Sequence, residues 1–468
     1  MDEIFKKLKT LGLDVPNILL PKSSSLEKWP VIACDQFTQD RDYWVKAKAF
    51  TAGSPSALNL IFPEIFLAGE GAEQRISDIH SNMKHYLANG VFEEPRQGFI
   101  YIERDTPYQK KRRGLLAAID LEQYDWLPDA RPLIRCTEGT VPERLPPRMD
   151  IRRGASLELP HVLLLIDDDT DSLLPALAER VTNSAPVYNT PLMMDSGSVT
   201  GWFVDTSDDL AFIAGKLDEL CKRSLERYRS YEHYRSSERF GVSQQNSGNM
   251  PFLFAVGDGN HSLAAAKGIW EEYKAKGFSD HPCRYALVEI ENLYDPAIQF
   301  EPIHRLVFGA CFDKVVSILS QLPDFSLSSV ESAKELVQLC TYNEASGRLP
   351  AVAQPLAVNR FGIISSRRYA LIETSASGIA TACLQPLLDA YAGDNPQLID
   401  YIHDEDEILR LSGGSVQSEE NSVGILLPPV QKSGLFETVA RIGPLPRKSF
   451  SMGHSCEKRF YLECRSLL

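Results

Sequence analysis

A mixed α/β fold is predicted for this chain, and three observations predict it. Strand-length apolar runs alternate with amphipathic stretches of helical period. The run Phe252–Val256 passes through Gly257, Asp258 and Gly259 straight into a helical segment. The 468 residues, 43% hydrophobic and 24% charged, suffice for sizeable cores without disulfides or a structural metal.

The elements follow in order. Residues 75–89 put Ile76, Ile79, Met83, Tyr86 and Leu87 on one helical face, and Gly90 stops the helix. Gly98–Glu103 and Gly114–Leu121 read as strands joined by the polar connection Arg104–Arg113. Pro160–Ile166 is a buried strand that ends at Asp167, Asp168 and Asp169. Those acids suit the start of the next helix, Leu173–Val181, through capping and the helix dipole; metal binding is the alternative.

Residues 207–235 form a long amphipathic helix whose basic residues, Arg223 and Arg227 among them, are interleaved with acids as on a solvated face. Ser243–Asn249 is a polar loop leading into the strand Phe252–Val256. Leu263–Lys276 reads as helix and Arg284–Ile290 as strand. The expected division is a core over 1–310 with an N-terminal elaboration, and a second α/β region over 311–468 whose basic tail reaches the site.

Charge narrows the function classes. Lys and Arg number 49 against 63 Asp and Glu, a net charge of −14 spread along the chain. That balance argues against DNA and anionic membranes, yet leaves room for a small nucleotide, which needs only a few local donors. The nine cysteines show no CxxC spacing and suit reduced thiols in a cytosol. Met1-Asp2-Glu3-Ile4-Phe5 lacks the basic start and apolar run of a signal peptide, and Leu163–Ile166 is far too short to span a bilayer. A cytoplasmic protein is expected.

Chemistry concentrates in two places. Gly257-Asp258-Gly259-Asn260-His261-Ser262 joins a buried strand to a helix. Glycines let the backbone approach an anion, and free N–H groups at a helix start attract it. Asp258 suits a hydroxyl or a magnesium ion, and His261 a phosphate oxygen; a plain left-handed turn with a helix cap fits the pattern equally. The segment is neither a Walker A motif nor a dinucleotide fingerprint. Upstream, Arg135-Cys136-Thr137-Glu138-Gly139-Thr140 is followed by Glu143, Arg144, Arg148, Arg152 and Arg153. Arginines gathered near one glutamate suit an anionic substrate beside a general base, but the residues alone favour a loop of surface ion pairs. His161, His304 and His403 have no HxxxH spacing or cysteine partner and read as structural.

Several stretches together resemble the family known as domain of unknown function 1015. They are Trp29–Thr38, Thr137–Val141, Leu159–Val162, Gly257–His261, Phe300–Leu306 and Asp400–His403. That family resembles the ParB and sulfiredoxin-like fold, which implies a nucleotide-binding core with additional N- and C-terminal elements. Within that fold the free-serine kinases are the functional analogy. Asp258-Gly259-Asn260-His261-Ser262 is similar to their nucleotide motif, with Asn260 in place of a histidine and Ser262 in place of an arginine. Glu138 occupies a place similar to their catalytic glutamate, without the preceding Pro-His. Arg447-Lys448-Ser449 is similar to their basic substrate-binding segment.

The resemblance implies a phosphotransferase acting on free serine or a similar small hydroxylated metabolite, with ATP or ADP and magnesium. Glu138, Asp258 and His261 are then catalytic, and Gly257 to Ser262 bind the nucleotide. Arg135, Thr140, Arg447, Lys448 and Ser449 face substrate, and Asp258 is the contact for the metal. The alternative is a catalytically inactive nucleotide-binding regulatory protein on the same fold.

Overall fold

The computed structural model describes residues 1–238, 250–341, 359–412 and 422–468, apart from 39, 68, 110, 367, 377, 378 and 404. The loop expected over Ser243–Asn249 lies outside the described residues. Helices and strands alternate along the chain, as the apolar periodicity requires, and the fold is mixed α/β.

The chain forms two compact units. The first comprises Met1–Gln299, Val439–Pro444 and Met452–Leu468, and the second Phe300–Thr438 and Leu445–Ser451. The end of the chain belongs to the first unit. The tail is held there by pairing: Phe460–Tyr461 runs antiparallel to Val31–Ile32, and Arg465–Ser466 antiparallel to Leu157–Glu158.

A ten-stranded sheet organises the first unit. Its strands in chain order are β1 (Leu13–Asp14), β2 (Phe99–Asp105), β3 (Arg112–Asp120), β4 (Tyr124–Asp125), β5 (Ile134–Cys136), β6 (Val162–Ile166), β7 (Tyr188–Pro191), β8 (Ser198–Val204), β9 (Phe254–Asp258) and β10 (Tyr285–Asn292). Across the sheet they run β7-β8-β2-β3-β10-β6-β9-β5-β4, with β1 on β3. Period-two alternation divides each central strand between two cores. Phe99, Tyr101, Leu115, Ala117 and Ile119 enter one; Ile100, Ile102 and Leu116 enter the other.

On β10 that second face is charged: Ala286, Val288 and Ile290 join the first core, while Glu289 and Glu291 are buried opposite them. Room for Glu289 comes from Gly114 on β3, where a Cβ would stand 2.0 Å from Glu289 Oε1. Arg104 and Arg112 share this face, and Arg112 Nε lies 2.9 Å from Glu291 Oε1. Arg459 Nη1 lies 2.8 Å from Glu289 Oε2 and also pairs with Glu463. The purely apolar logic of a buried strand therefore fails here, because each buried carboxylate has a guanidinium within reach.

The helix expected at 173–181 is α1 (Leu174–Val181), and the long one at 207–235 is α2 (Ser207–Glu238). Asp168 Oδ2 accepts from the N–H groups of Ser172 and Leu173 just ahead of α1, which is a capping role. Asp167 and Asp169 instead take Arg227 at 2.7 Å each, and Arg223 lies 3.0 Å from Asp169. Those arginines were expected on a solvated face; their partners come from a different element.

The second unit carries a six-stranded antiparallel sheet of β11 (His304–Phe308), β12 (Ser326–Val330), β13 (Asn359–Ser365), β14 (Arg368–Thr374), β15 (Ile399–Ile402) and β16 (Ser422–Leu426). Its order is β12-β14-β13-β16-β11-β15. Phe361, Ile363, Ile372, Val423 and Ile425 are fully buried in its core. No helix among the described residues is long and apolar enough to cross a membrane.

Candidate functional site

The site begins with β9, a buried strand between parallel β5 and antiparallel β6. It extends to Asp258, so Gly257 and Asp258 are its last residues and not yet the turn. A register shift in β6 between Leu163 and Leu164 lets β9 accommodate Gly257. Gly259 then takes the left-handed conformation at φ 81°, and α3 (Asn260–Ala275) begins immediately. Glycine is required there twice over: the backbone is left-handed, and a Cβ would stand 3.1 Å from Val162 Cα. The first N–H groups of α3 have no intrahelical acceptor, and the helix dipole adds positive potential at the same point.

Asp258 sits at the end of β9 with both oxygens engaged. Oδ1 accepts the Gly259 N–H at 3.0 Å, and Oδ2 lies 3.2 Å from Lys458 Nζ. Burial pushes the Asp258 carboxyl up, but Lys458, together with the Gly259 N–H, outweighs it and holds the group below the ordinary carboxylate value. An aspartate held so is a fixed negative charge and a weak base.

Lys458 is placed by the charged face of the sheet. Arg104 donates to the carbonyls of Cys456 (2.6 Å), Glu457 (3.1 Å) and Lys458, and Arg112 to that of Glu457 (2.7 Å). The Glu457 side chain in turn accepts from Thr106 Oγ1 at 2.8 Å and from the His454 N–H at 2.9 Å. Three successive carbonyls are thereby fixed, and the lysine between them has little freedom.

The loop after β5 joins from the other side. Cys136 is level with Val256 in the parallel pair, and Glu138 follows two residues further along the chain. Thr137 Oγ1 donates to the Val256 carbonyl at 2.6 Å, and the Val141 N–H donates to His261 Nε2 at 3.2 Å. The structure therefore brings the loop of Glu138 and Thr140 onto the Gly257–Ser262 turn. Because Nε2 of His261 accepts, its ring carries the proton on Nδ1 in this arrangement. Thr140 Oγ1 and Asn260 Oδ1 are buried without a hydrogen-bond partner among the described residues.

Arg135 and the segment Arg447–Ser449 have partners of their own. Arg135 is 3% exposed; its Nε donates to the Pro132 carbonyl at 3.0 Å and its guanidinium lies 4.6 Å over Phe252. Arg447, Lys448 and Ser449 belong to the second unit. There the Lys448 carbonyl accepts from Arg305 Nη2 at 3.0 Å, Ser449 Oγ donates to the Pro446 carbonyl at 2.6 Å, and Arg447 lies 5.3 Å over the Tyr401 ring. The cation beside Asp258 is Lys458, which no local motif marked.

Sequence reasoning also missed the N-terminal contribution. Glu64 pairs with Arg148, and its N–H donates to the Cys34 carbonyl at 2.8 Å. Burial, opposed by Arg148 and reinforced by Asp35, raises the Glu64 carboxyl above its ordinary value. Tyr461 Oη accepts the Cys34 N–H at 3.2 Å and lies 2.7 Å from His161 Nδ1. The stretches Trp29–Thr38 and Leu159–Val162 carried a signal as blocks, but nothing in their spacing said that they meet.

The fit to a nucleotide rests on the orphaned Thr140 and Asn260 oxygens, the helix start after Gly259 and Lys458. Among the described residues no cluster of three or more His, Cys, Asp or Glu side chains is arranged to hold a metal ion. Asp258 nevertheless fits a magnesium ion carried on phosphates, because each carboxylate oxygen keeps a second acceptor site and magnesium commonly takes one protein carboxylate.

The chain belongs to the family described as "Protein of unknown function (DUF1015)", whose pattern matches residues 18–391. No curated protein matches. Among solved structures, the chain is similar to a free serine kinase in complex with AMP, at 11% identity and a TM-score of 0.36, over 78% of this chain and 95% of that one. It is similar also to SbnI with C-terminal truncation from Staphylococcus aureus, at 10% identity and a TM-score of 0.34, over 74% and 85%. A conserved hypothetical protein from Pyrococcus furiosus is similar at 15% identity and a TM-score of 0.27, over 52% and 84%.

Proposed function

We propose that this protein is a phosphotransferase that uses ATP or ADP to phosphorylate the hydroxyl of free serine or a similar small metabolite. The observation that carries the reading is the Asp258–Lys458 pair at the end of a strand that turns through left-handed Gly259 into a helix start. Phosphoryl transfer depends on positioning and charge stabilisation more than on covalent chemistry by the protein, and this turn supplies both.

In the proposed mechanism the N–H groups after Gly259 and the Lys458 ammonium bind the phosphates. Asp258 would be the protein contact for a magnesium ion brought by the nucleotide, which would supply neutralisation of phosphate charge. Glu138 accepts the proton of the substrate hydroxyl. The hydroxyl oxygen bonds to the terminal phosphorus as the bond from that phosphorus to the bridging oxygen breaks, and the shortened nucleotide leaves with the electron pair. Thr140 Oγ1 and Asn260 Oδ1 are the buried polar atoms left to contact nucleotide or substrate. Lys458 supplies the charge that Ser262 lacks at the place of an arginine.

A second reading is favoured by Asn260 and Ser262 themselves: a nucleotide-binding regulatory protein without turnover. The experiment that separates them is a nucleotide-consumption screen with free serine and other small alcohols, comparing wild type with Glu138→Gln. Turnover lost in the variant with nucleotide binding kept supports the kinase. Turnover equal in both removes Glu138 from the mechanism, and binding without any phosphorylated product establishes the regulatory reading.

A further inference from the structure

We propose that His161, held by Tyr461, is a hydrogen-bond donor to the oxyanion bound at the Gly259 turn. The inference rests on the anion-binding reading of that turn and adds a residue that the sequence pattern treats as structural. His161 immediately precedes β6, whose antiparallel register sets Leu163 opposite Asp258; one step further along each strand brings Val162 to Gly259 and His161 to the start of α3. The ring lies against the turn, with Cδ2 3.3 Å from the position a Cβ on Gly259 would occupy.

Tyr461 fixes the tautomer. Its hydroxyl oxygen accepts the Cys34 N–H at 3.2 Å, and its single proton goes to its best acceptor, His161 Nδ1, at 2.7 Å. The phenol is 3% exposed, and burial drives its acidity far from the working range, so it keeps that proton. The two rings meet edge to face at 88°, a contact that holds the imidazole plane. With Nδ1 accepting, the neutral ring carries its proton on Nε2. Nε2 is bonded to Cδ2, the atom against Gly259, and it has no hydrogen-bond partner among the described residues. A ring locked in one tautomer, with a donor left over beside helix-start N–H groups and Lys458, is suited to a phosphate oxygen.

His161 and His261 then present opposite tautomers to the same turn. His261 accepts at Nε2 from the Val141 N–H, whereas His161 accepts at Nδ1 from Tyr461. Only the second leaves its Nε2 proton for a ligand.

The test combines histidine ¹⁵N spectra of the full chain with titrations of magnesium-ADP and of inorganic phosphate. His161, assigned by its loss in His161→Asn, is expected as the Nε2–H tautomer, with its resonances moved by either anion. Glutamine places an amide donor near Nε2 and asparagine places one near Nδ1. His161→Gln is therefore expected to bind ADP within about threefold of wild type and His161→Asn about tenfold more weakly, a difference of about 1.4 kcal/mol. Tyr461→Phe is expected to mix the tautomers. An Nδ1–H tautomer in wild type, resonances that neither anion moves, or His161→Asn binding as well as wild type would each overturn the proposal. If phosphate moves the His161 resonances and neither ADP nor ATP binds, the donor role stands and the kinase reading falls.

Discussion

Lys458 Nζ lies 3.2 Å from Asp258 Oδ2, with the lysine side chain 7% and the aspartate 24% exposed. The contact joins the end of a central strand to a segment near the end of the chain, and it is where charge meets the Gly259 turn. Desolvation of both partners gives the pair a purpose beyond surface solubility, since an exposed pair of this kind contributes little.

Lys458→Met is expected to weaken ADP binding about tenfold or more, about 1.4 kcal/mol, by removing the cation at the phosphates. It also leaves Asp258 without its counter-charge, which costs about 1–3 kcal/mol because the carboxylate keeps some exposure. Calorimetric titration and urea unfolding read the two effects separately. Asp258→Asn added to Lys458→Met recovers part of the stability but none of the binding.

Gly259→Ala meets both a left-handed backbone and the Val162 Cα at 3.1 Å. The conformational cost alone is about 1–2 kcal/mol. A lower urea midpoint together with weakened ADP binding is expected; an unchanged midpoint would show that the turn relaxes freely.

Gly114→Ala places a methyl 2.0 Å from Glu289 Oε1. Glu289 cannot move without losing Arg459 Nη1 at 2.8 Å, so the variant is expected to lose about 1–3 kcal/mol. Gly114→Ala combined with Glu289→Ala regains stability relative to Gly114→Ala alone if the clash is the cause.

Burial, with Glu289 and Asp295 adding to it and Arg112 opposing it, pushes Glu291 from 4.5 up to about 7. Between those values the folded protein holds a proton that the unfolded chain releases. The contribution of Glu291 to stability is thus complete below pH 4.5 and is lost as pH rises through 7. Unfolding free energies of wild type and Glu291→Gln, measured from pH 5 to pH 8, should show wild type falling relative to the variant by about 1–3 kcal/mol. A constant difference across that range would remove Glu291 as the titrating group. Glu158 works in the opposite sense: burial raises it, but Arg152 and Arg465 outweigh burial and lower it, so its contribution fades as pH falls.

The local elements were legible in the sequence because each is written in its own neighbourhood. The run Phe252–Val256, the glycines that follow and the alanine-rich start of the next segment are enough to specify strand, turn and helix. Composition and apolar period likewise determine a mixed α/β fold. What the sequence leaves open is which distant residue meets which. The cation at Asp258 is Lys458, distant in the chain, and the arginines that place it, Arg104 and Arg112, bound a stretch whose pattern is that of a polar connection. The meeting of His161 with Tyr461 and with the Gly259 turn is likewise not written in any local spacing. Those choices depend on strand order, on register and on which buried charges can share a face of the sheet. Such quantities are set by packing of the whole unit, because a buried charge is tolerated only where the tertiary structure brings its partner.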